Sequence, residues 1–233
     1  VRFTFITGVN TLFNALLNTP GFAELDFSSL KVAMGGGMAV QAAVSERWRQ
    51  GTGRDISQGW GLTESSPVGT SSLPGSTDFT GSIGYPLPST EISIRDDDGQ
   101  PLPAGGVGEI CLRGPQVMRG YWNRPEETAK VMLPGGWLRT GDIGRMDERG
   151  RTFIEDRKKD MIIVSGFNVY PNEVEGVVAT MPGVLEAAAV PKPDERSGEV
   201  VALFIVRKDP PLTAEQVIAH CRRELTGYKI PEA

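Results

Sequence analysis

Three short segments carry the residue types that nucleotide and phosphate chemistry requires. In Gln58-Gly59-Trp60-Gly61-Leu62-Thr63-Glu64, an aromatic stands between two glycines and a hydroxyl directly precedes a carboxylate. The glycines let backbone approach the aromatic face, and Thr63 suits a phosphate contact beside a divalent-metal ligand such as Glu64. A surface loop with a capping residue has the same composition. Gly136-Trp137-Leu138-Arg139-Thr140-Gly141-Asp142 holds a carboxylate between turn residues. Such an Asp can accept two ribose hydroxyls, and an Asx-turn is the plain alternative. Asp156-Arg157-Lys158-Lys159-Asp160 is a dense charge cluster just before an apolar run, either a solvated face or a hinge. Gly35-Gly36-Gly37 lacks the spacing of a dinucleotide fingerprint, and no GxxxxGK[ST] occurs anywhere. Alone, that run is equally a tight strand-to-helix turn.

The elements that must position these segments are short and of three kinds. Leu12, Phe13, Leu16 and Leu17 predict a helix with one apolar face, ended by Pro20-Gly21. Leu30 to Met34 predicts a strand running into the Gly35 turn. Val40, Val44 and Trp48 predict a second helix closed by Gly51 and Gly53, and Asp55 to Trp60 another strand. From about Ser76 the pattern alternates. Glu91 to Arg95 and Glu109 to Arg113 read as strands, with a hairpin-type turn at Asp97-Asp98-Gly99. A helix near Pro125 to Met132 has Pro in its first turn and Glu126 placed to face Lys130.

Beyond Arg157 a strand at Met161 to Val164 precedes a helix at Asn172 to Ala179. Strands at Ala187 to Val190 and Val200 to Val206 follow, then a helix with the capping pair Thr213 and Gln216, stopped by Gly227. The predicted class is α/β plus β plus α+β. It comprises a partial αβα subdomain over 1–75, a small antiparallel β-barrel over 76–156 and a small α+β domain over 157–233.

Bulk properties exclude several classes. Across 233 residues, 39% hydrophobic and 23% charged composition is that of an ordinary globular protein. A net charge of −5 argues against a nucleic-acid surface. The 29 Gly and 17 Pro are dispersed between apolar segments and read as turns. Cys111 and Cys221 have no CxxC partner, so neither a metal cluster nor a disulfide framework is expected and a reducing cytosol fits. The one histidine, His220, lies in a helical segment and is expected at the surface or satisfied in the core. No run approaches the ~20 apolar residues of a membrane span.

Taken in order and spacing, these segments resemble the adenylate-forming superfamily of acyl-CoA synthetases, adenylation domains and luciferases. The likeness covers the whole chain. Gln58 to Glu64 is similar to the YGxTE segment, Gly136 to Asp142 to W-x-x-TGD, and Asp156 to Glu173 to the hinge and C-terminal domain entry. Within the superfamily, Thr7-Gly8-Val9-Asn10-Thr11-Leu12-Phe13 through Leu17, the Arg157 to Ile162 and Val164 to Glu175 runs, and Gly114 to Met118 with Gly120-Tyr121-Trp122 resemble bacterial long-chain fatty acid–CoA ligases.

The resemblance implies roles. Val9, Asn10, Leu12 and Phe13 would face the acyl chain, and Gly35, Gly36 and Gly37 would line the acyl and adenine pockets. Trp60, where the family usually has Tyr, would stack near adenine beside Gly61. Thr63 would touch the α-phosphate and Glu64 would hold Mg²⁺. Asp142 and Arg157 would bind ribose. Lys159 would be the hinge, with Ser165, Gly166 and Phe167 facing the pantetheine of CoA. Implied substrates are a fatty acid, ATP and CoA. The family's phosphate loop would lie upstream of Val1 and its catalytic lysine beyond Ala233, so the chain is expected to be a fragment with little activity alone. A cytoplasmic location is expected, with peripheral contact at the inner membrane face because free long-chain acids partition into bilayers. Homodimerisation of the full-length protein stays open. Acyl-AMP ligase, medium-chain or aryl-CoA ligase, and a non-catalytic binding module are the competing readings.

Overall fold

The α/β character at the start of the chain comes from two apolar-faced helices laid over three short parallel strands. The structure, a computed structural model, describes residues 2–73, 79–208 and 212–232. Strands β1 (Phe5–Gly8), β2 (Val32–Gly35) and β3 (Ile56–Trp60) pair in parallel, with α1 (Asn10–Leu17) and α2 (Ala42–Thr52) as the crossovers. Two short strands, β4 (Thr70–Ser71) and β5 (Tyr85–Pro86), extend this sheet antiparallel. Phe13 and Trp48 are fully buried between the helices, ring centroids 4.8 Å apart and nearly perpendicular. Burying each such side chain contributes about 2–3 kcal/mol. Gly53 stops α2 in the left-handed conformation at φ 68°; Gly51, expected to help close the helix, lies inside it.

Alternating residues next build a second, antiparallel sheet. It comprises β6 (Glu91–Arg95), β7 (Val107–Arg113), β8 (Met132–Leu133), β9 (Trp137–Met146) and β10 (Thr152–Arg157), in the order β10-β9-β7-β6 with β8 on β9. The turn after β6 forms where the acidic run predicts it. Asp96 Oδ1 accepts the Gln100 N–H at 2.8 Å, and Gly99 adopts φ 78°. The inward residues Ile94, Ile110 and Leu112 meet Trp60 and Ile83 in a core of their own. Helix α3 (Pro125–Val131) starts on its proline, but Lys130 pairs with Glu127 at 2.6 Å, three residues back, instead of Glu126.

Strands β11 (Ile162–Val164), β12 (Phe167–Val169), β13 (Val184–Asp194) and β14 (Gly198–Arg207) form a sheet in the order β12-β11-β14-β13. Helices α4 (Pro171–Ala179) and α5 (Ala214–Glu224) share its core through Val174, Val178, Val217 and Cys221. The Thr213–Gln216 capping box is formed: Thr213 donates its N–H to Gln216 Oε1, and its hydroxyl accepts the Gln216 N–H. α5 ends as Leu225 turns extended, and Gly227, expected as the stop, opens a 3₁₀ turn, Gly227–Lys229. His220 is satisfied, its Nε2 3.1 Å from both the Val177 carbonyl and the Thr180 hydroxyl.

The fold is therefore α/β plus β plus α+β, and the chain divides into two compact units. One is Val1–Thr140 with Gly144–Ile154; the other is Gly141–Ile143 with Glu155–Ala233. The expected boundary between residues 75 and 76 lies outside the described residues. Among the described residues no helix is long and apolar enough to cross a membrane, and no cluster of three or more His, Cys, Asp or Glu could hold a metal.

Candidate active site

In the first unit, the three-glycine run follows β2 directly, and each glycine is needed by the fold. A side chain on Gly35 would collide with Val40, one on Gly36 would press the Gly59 carbonyl at 3.0 Å, and Gly37 sits at φ 78°. The turn thus brings backbone, without side chains, against the end of β3. Of the expected acyl-pocket residues, Val9 and Leu12 are exposed and Val9 lies beside Gly37. Asn10 is buried, its Oδ1 accepting the Gln41 N–H at 3.0 Å, which ties α1 to the entry of α2. Phe13 is spent on the core against Trp48.

Trp60 ends β3 with only 8% of its surface exposed, its ring against Gly69 and the cluster of Ile83, Ile94, Ile110 and Leu112. Gly61 follows because any side chain there would strike the Pro67 carbonyl. Thr63–Ser65 then forms a 3₁₀ turn locked from below. Fully buried Ser65 accepts the Leu62 N–H at 2.9 Å and donates back to the Leu62 carbonyl at 3.0 Å. That lock presents Thr63 to solvent and leaves Glu64 half-buried.

Glu64 is gripped twice by one distant segment. Its carbonyl accepts the Met118 N–H at 2.8 Å, and its Oε1 accepts a hydrogen bond from the Tyr121 hydroxyl at 2.8 Å. The hydrogen bond to Glu64, then burial, then the negative charges of Glu64 and Glu127 hold the Tyr121 phenol above its usual pKa. The segment around Gly120-Tyr121 carried the family resemblance, but nothing in its residue types signalled contact with a residue 57 positions away.

In the second unit, Asp142 is buried and its Oδ1 lies 3.8 Å from Arg157 Nε, whose side chain is largely exposed. This is a loose ion pair. Lys158 donates its N–H to the Gly141 carbonyl at 2.8 Å, so the two expected ribose-binding residues sit on neighbouring backbone. Lys159 is exposed in the turn closed by the Asp160 N–H to the Arg157 carbonyl at 3.0 Å. Asp156, beside it, is buried. Burial lifts its carboxyl above the ordinary range, against the lowering effect of the Asn172 and Arg157 N–H groups. Ser165 and Gly166 form the two-residue turn between β11 and β12, both at positive φ, 51° and 83°, as a type I′ hairpin requires. Phe167 is 57% exposed, and its ring stacks on Tyr228 with centroids 4.8 Å apart.

The arrangement offers a fixed hydroxyl–carboxylate pair in one unit, and a carboxylate–guanidinium pair and a hairpin tip in the other. Residues 1–122 match the family model of AMP-binding enzymes, and residues 173–233 match the AMP-binding enzyme C-terminal domain. The chain is 56% identical over 230 residues to a long-chain-fatty-acid–CoA ligase of Yersinia pestis, covering 99% of this chain and 41% of that protein. It is 57% identical over 231 residues to the protein of that name from Escherichia coli O6:H1, with the same coverage. The chain thus spans about two-fifths of the length of these curated relatives. The crystal structure of ATP-bound MatB from Rhodopseudomonas palustris superposes with a TM-score of 0.92 at 33% identity, over 99% of this chain and 46% of that one. With more than half of its residues matched by one model, and the glycine turn, the Thr63–Glu64 pair and Tyr121 all inside the matched stretch, the chain belongs to the AMP-binding enzyme family.

Proposed function

We propose that the protein carrying this chain is a long-chain fatty acid–CoA ligase that works through an acyl-adenylate. The observation that carries this reading is the 56% identity to the Yersinia ligase, sustained over 99% of the chain and so through both units. In the first half-reaction a carboxylate oxygen attacks the α-phosphorus of ATP, the bond from that phosphorus to the bridging oxygen breaks, and pyrophosphate leaves. In the second, the CoA sulfur attacks the acyl carbon, its proton is lost, and AMP departs.

The side chains suit these demands. Negative charge grows on the α-phosphoryl oxygens during attack, so fixed donors at that point stabilise the transition state. Thr63, exposed on its locked turn, is the residue assigned to donate there. Mg²⁺ fits the donor set: Glu64 is a hard oxygen ligand on a restrained turn, and Mg²⁺ takes one or two carboxylates plus substrate phosphates instead of a protein cage. Oε1 is engaged by Tyr121, and Oε2 has no protein partner among the described residues. When bound, the ion would neutralise phosphoryl charge. Asp142 and Arg157 are assigned to the ribose hydroxyls. The exposed turn at Lys159 is the assigned pivot of a mobile domain over 157–233, with Ser165, Gly166 and Phe167 assigned to CoA. Val9 and Leu12 supply exposed apolar surface for an alkyl chain, at about 0.8 kcal/mol per buried CH₂.

The test is ATP–pyrophosphate exchange by the whole protein with palmitate, octanoate and benzoate, followed by transfer to CoA or to a holo-carrier protein. Exchange strongest with palmitate and transfer to CoA are expected. A preference for octanoate or benzoate, or transfer only to carrier protein, would replace the long-chain ligase reading with one of its relatives. Absence of acid-dependent exchange would sink adenylation altogether.

A further inference from the structure

We infer that Tyr121 is a positioning residue for Glu64, fixing the carboxylate so that its second oxygen is presented to a divalent cation. This rests on the proposed role of Glu64. A glutamate has three rotatable side-chain bonds and, on a half-exposed turn, would sample several directions. Here the phenol donates to Oε1 at 2.8 Å, which selects one rotamer and leaves Oε2 as the oxygen without a protein partner among the described residues. The tyrosine is itself held. Its N–H donates to the Thr128 hydroxyl at 2.9 Å, and that hydroxyl donates to the Arg124 carbonyl at 2.8 Å. Three residues before Tyr121, the Met118 N–H clamps the Glu64 carbonyl at 2.8 Å. One segment therefore fixes both the main chain and the side chain of Glu64, whereas the Ser65 lock from below fixes only the main chain.

A carboxylate that accepts a hydrogen bond at one oxygen and ligates a metal through the other has the geometry in which an outer partner tunes affinity. Loss of such partners weakens metal binding about 10–100-fold. Phenylalanine at this position keeps the ring and removes only the donor, so the variant separates the hydrogen bond from packing.

The experiment measures Mn²⁺ binding by electron paramagnetic resonance of the free ion, with the whole protein saturated by α,β-methylene-ATP. Wild type, Y121F, E64Q and the double variant are compared, with thermal melts as a check on folding. Y121F is expected to weaken Mn²⁺ about 10–100-fold, and to add nothing once Glu64 is already Gln, the signature of coupling through that carboxylate. Thr128→Val, which frees the Tyr121 N–H, is expected to shift Mn²⁺ binding the same way and serves if Y121F melts early. Wild-type affinity in Y121F overturns the inference, as does an equal loss from Y121F in the E64Q background. Undiminished Mn²⁺ binding by E64Q alone would instead remove the metal role of Glu64 on which both rest.

Discussion

The Asp156 carboxylate accepts the backbone N–H of Asn172 through Oδ2 at 2.9 Å, so a residue at the end of strand β10 caps the first turn of a helix 16 residues on. Its other oxygen takes the Arg157 N–H at 2.7 Å, and the Asn172 amide returns a hydrogen bond to the Glu155 carbonyl. Tyr170, the residue in the N-cap place of α4, supplies no side-chain cap. A helix start needs acceptors for its free N–H groups, and here a remote carboxylate provides one.

Asp156→Ala is therefore expected to destabilise the second unit by about 1–2 kcal/mol, the scale of a lost helix cap. Urea unfolding reports the loss, and amide exchange at Asn172 should accelerate locally. Unchanged exchange at Asn172 would show that α4 is capped some other way.

Glu175 gives a pH signature of the opposite sense to most surface carboxylates. Its Oε1 accepts the Ala189 N–H at 2.9 Å. Burial holds its pKa above the ordinary 4.5 despite that bond, and the charge of Asp156 pushes the same way. Above the raised value both folded and unfolded chains carry the charge, and its burial costs stability in full. As pH falls from there to about 4.5, the folded chain takes up a proton that the unfolded chain does not yet bind, so stability rises. Glu175→Gln keeps the acceptor and removes the charge. It should melt higher than wild type at neutral pH, with the gap closing as pH falls toward 4.5. A gap that widened on acidification would show that the carboxylate is net stabilising.

Much of this was legible from periodicity, because short helices and strands with one buried face write that face into the sequence. The limits are instructive. At 100° per residue, Leu12 and Phe13 lie on adjoining flanks of the same apolar face of α1, and spacing alone does not say which flank is core. The structure buries Phe13 against Trp48 and exposes Leu12. Strand β12 is only three residues long, too few for alternation to register, and it exists because β11 pairs with it. Glu127 displaced Glu126 as the Lys130 partner because i,i+3 and i,i+4 spacings are near-equivalent on a helix. Thr63 and Glu64 stood out as candidates by type and order. Tyr121 was not, because its partner is set by tertiary folding and its own type carries no mark of it.

Ser165 occupies the first turn position of the β11–β12 hairpin at φ 51°, a conformation that costs a non-glycine residue about 1–2 kcal/mol. Asn tolerates it better, and Asn-Gly is the favoured pair for this turn. Ser165→Asn should raise the unfolding free energy by about 0.5–1 kcal/mol, readable as a higher melting temperature. The Ser165 N–H to the Ser197 carbonyl, at 2.8 Å, is untouched by the change. A lower melting temperature would mean that the serine hydroxyl stabilises the turn.

The stack of Phe167 on Tyr228 separates stability from the proposed second half-reaction. Tyr228 sits in the 3₁₀ turn after α5, and its neighbour Lys229 is anchored to both Glu173 carboxylate oxygens at 2.7 Å. The hairpin tip thus leans on a ring whose backbone is tied to α4. Phe167→Ala and Tyr228→Ala should show a coupling of about 0.5–1.5 kcal/mol in a double-mutant cycle of stability. If Phe167 guides CoA, its loss should leave acid-dependent pyrophosphate exchange within about twofold and slow acyl-CoA formation about tenfold or more, since misplacing a reactant by an ångström costs rates of that order. Rapid-quench measurement of the two steps in the whole protein decides it. Equal slowing of both steps would place Phe167 in general support of the fold. An unaffected thioester step would remove it from the CoA path.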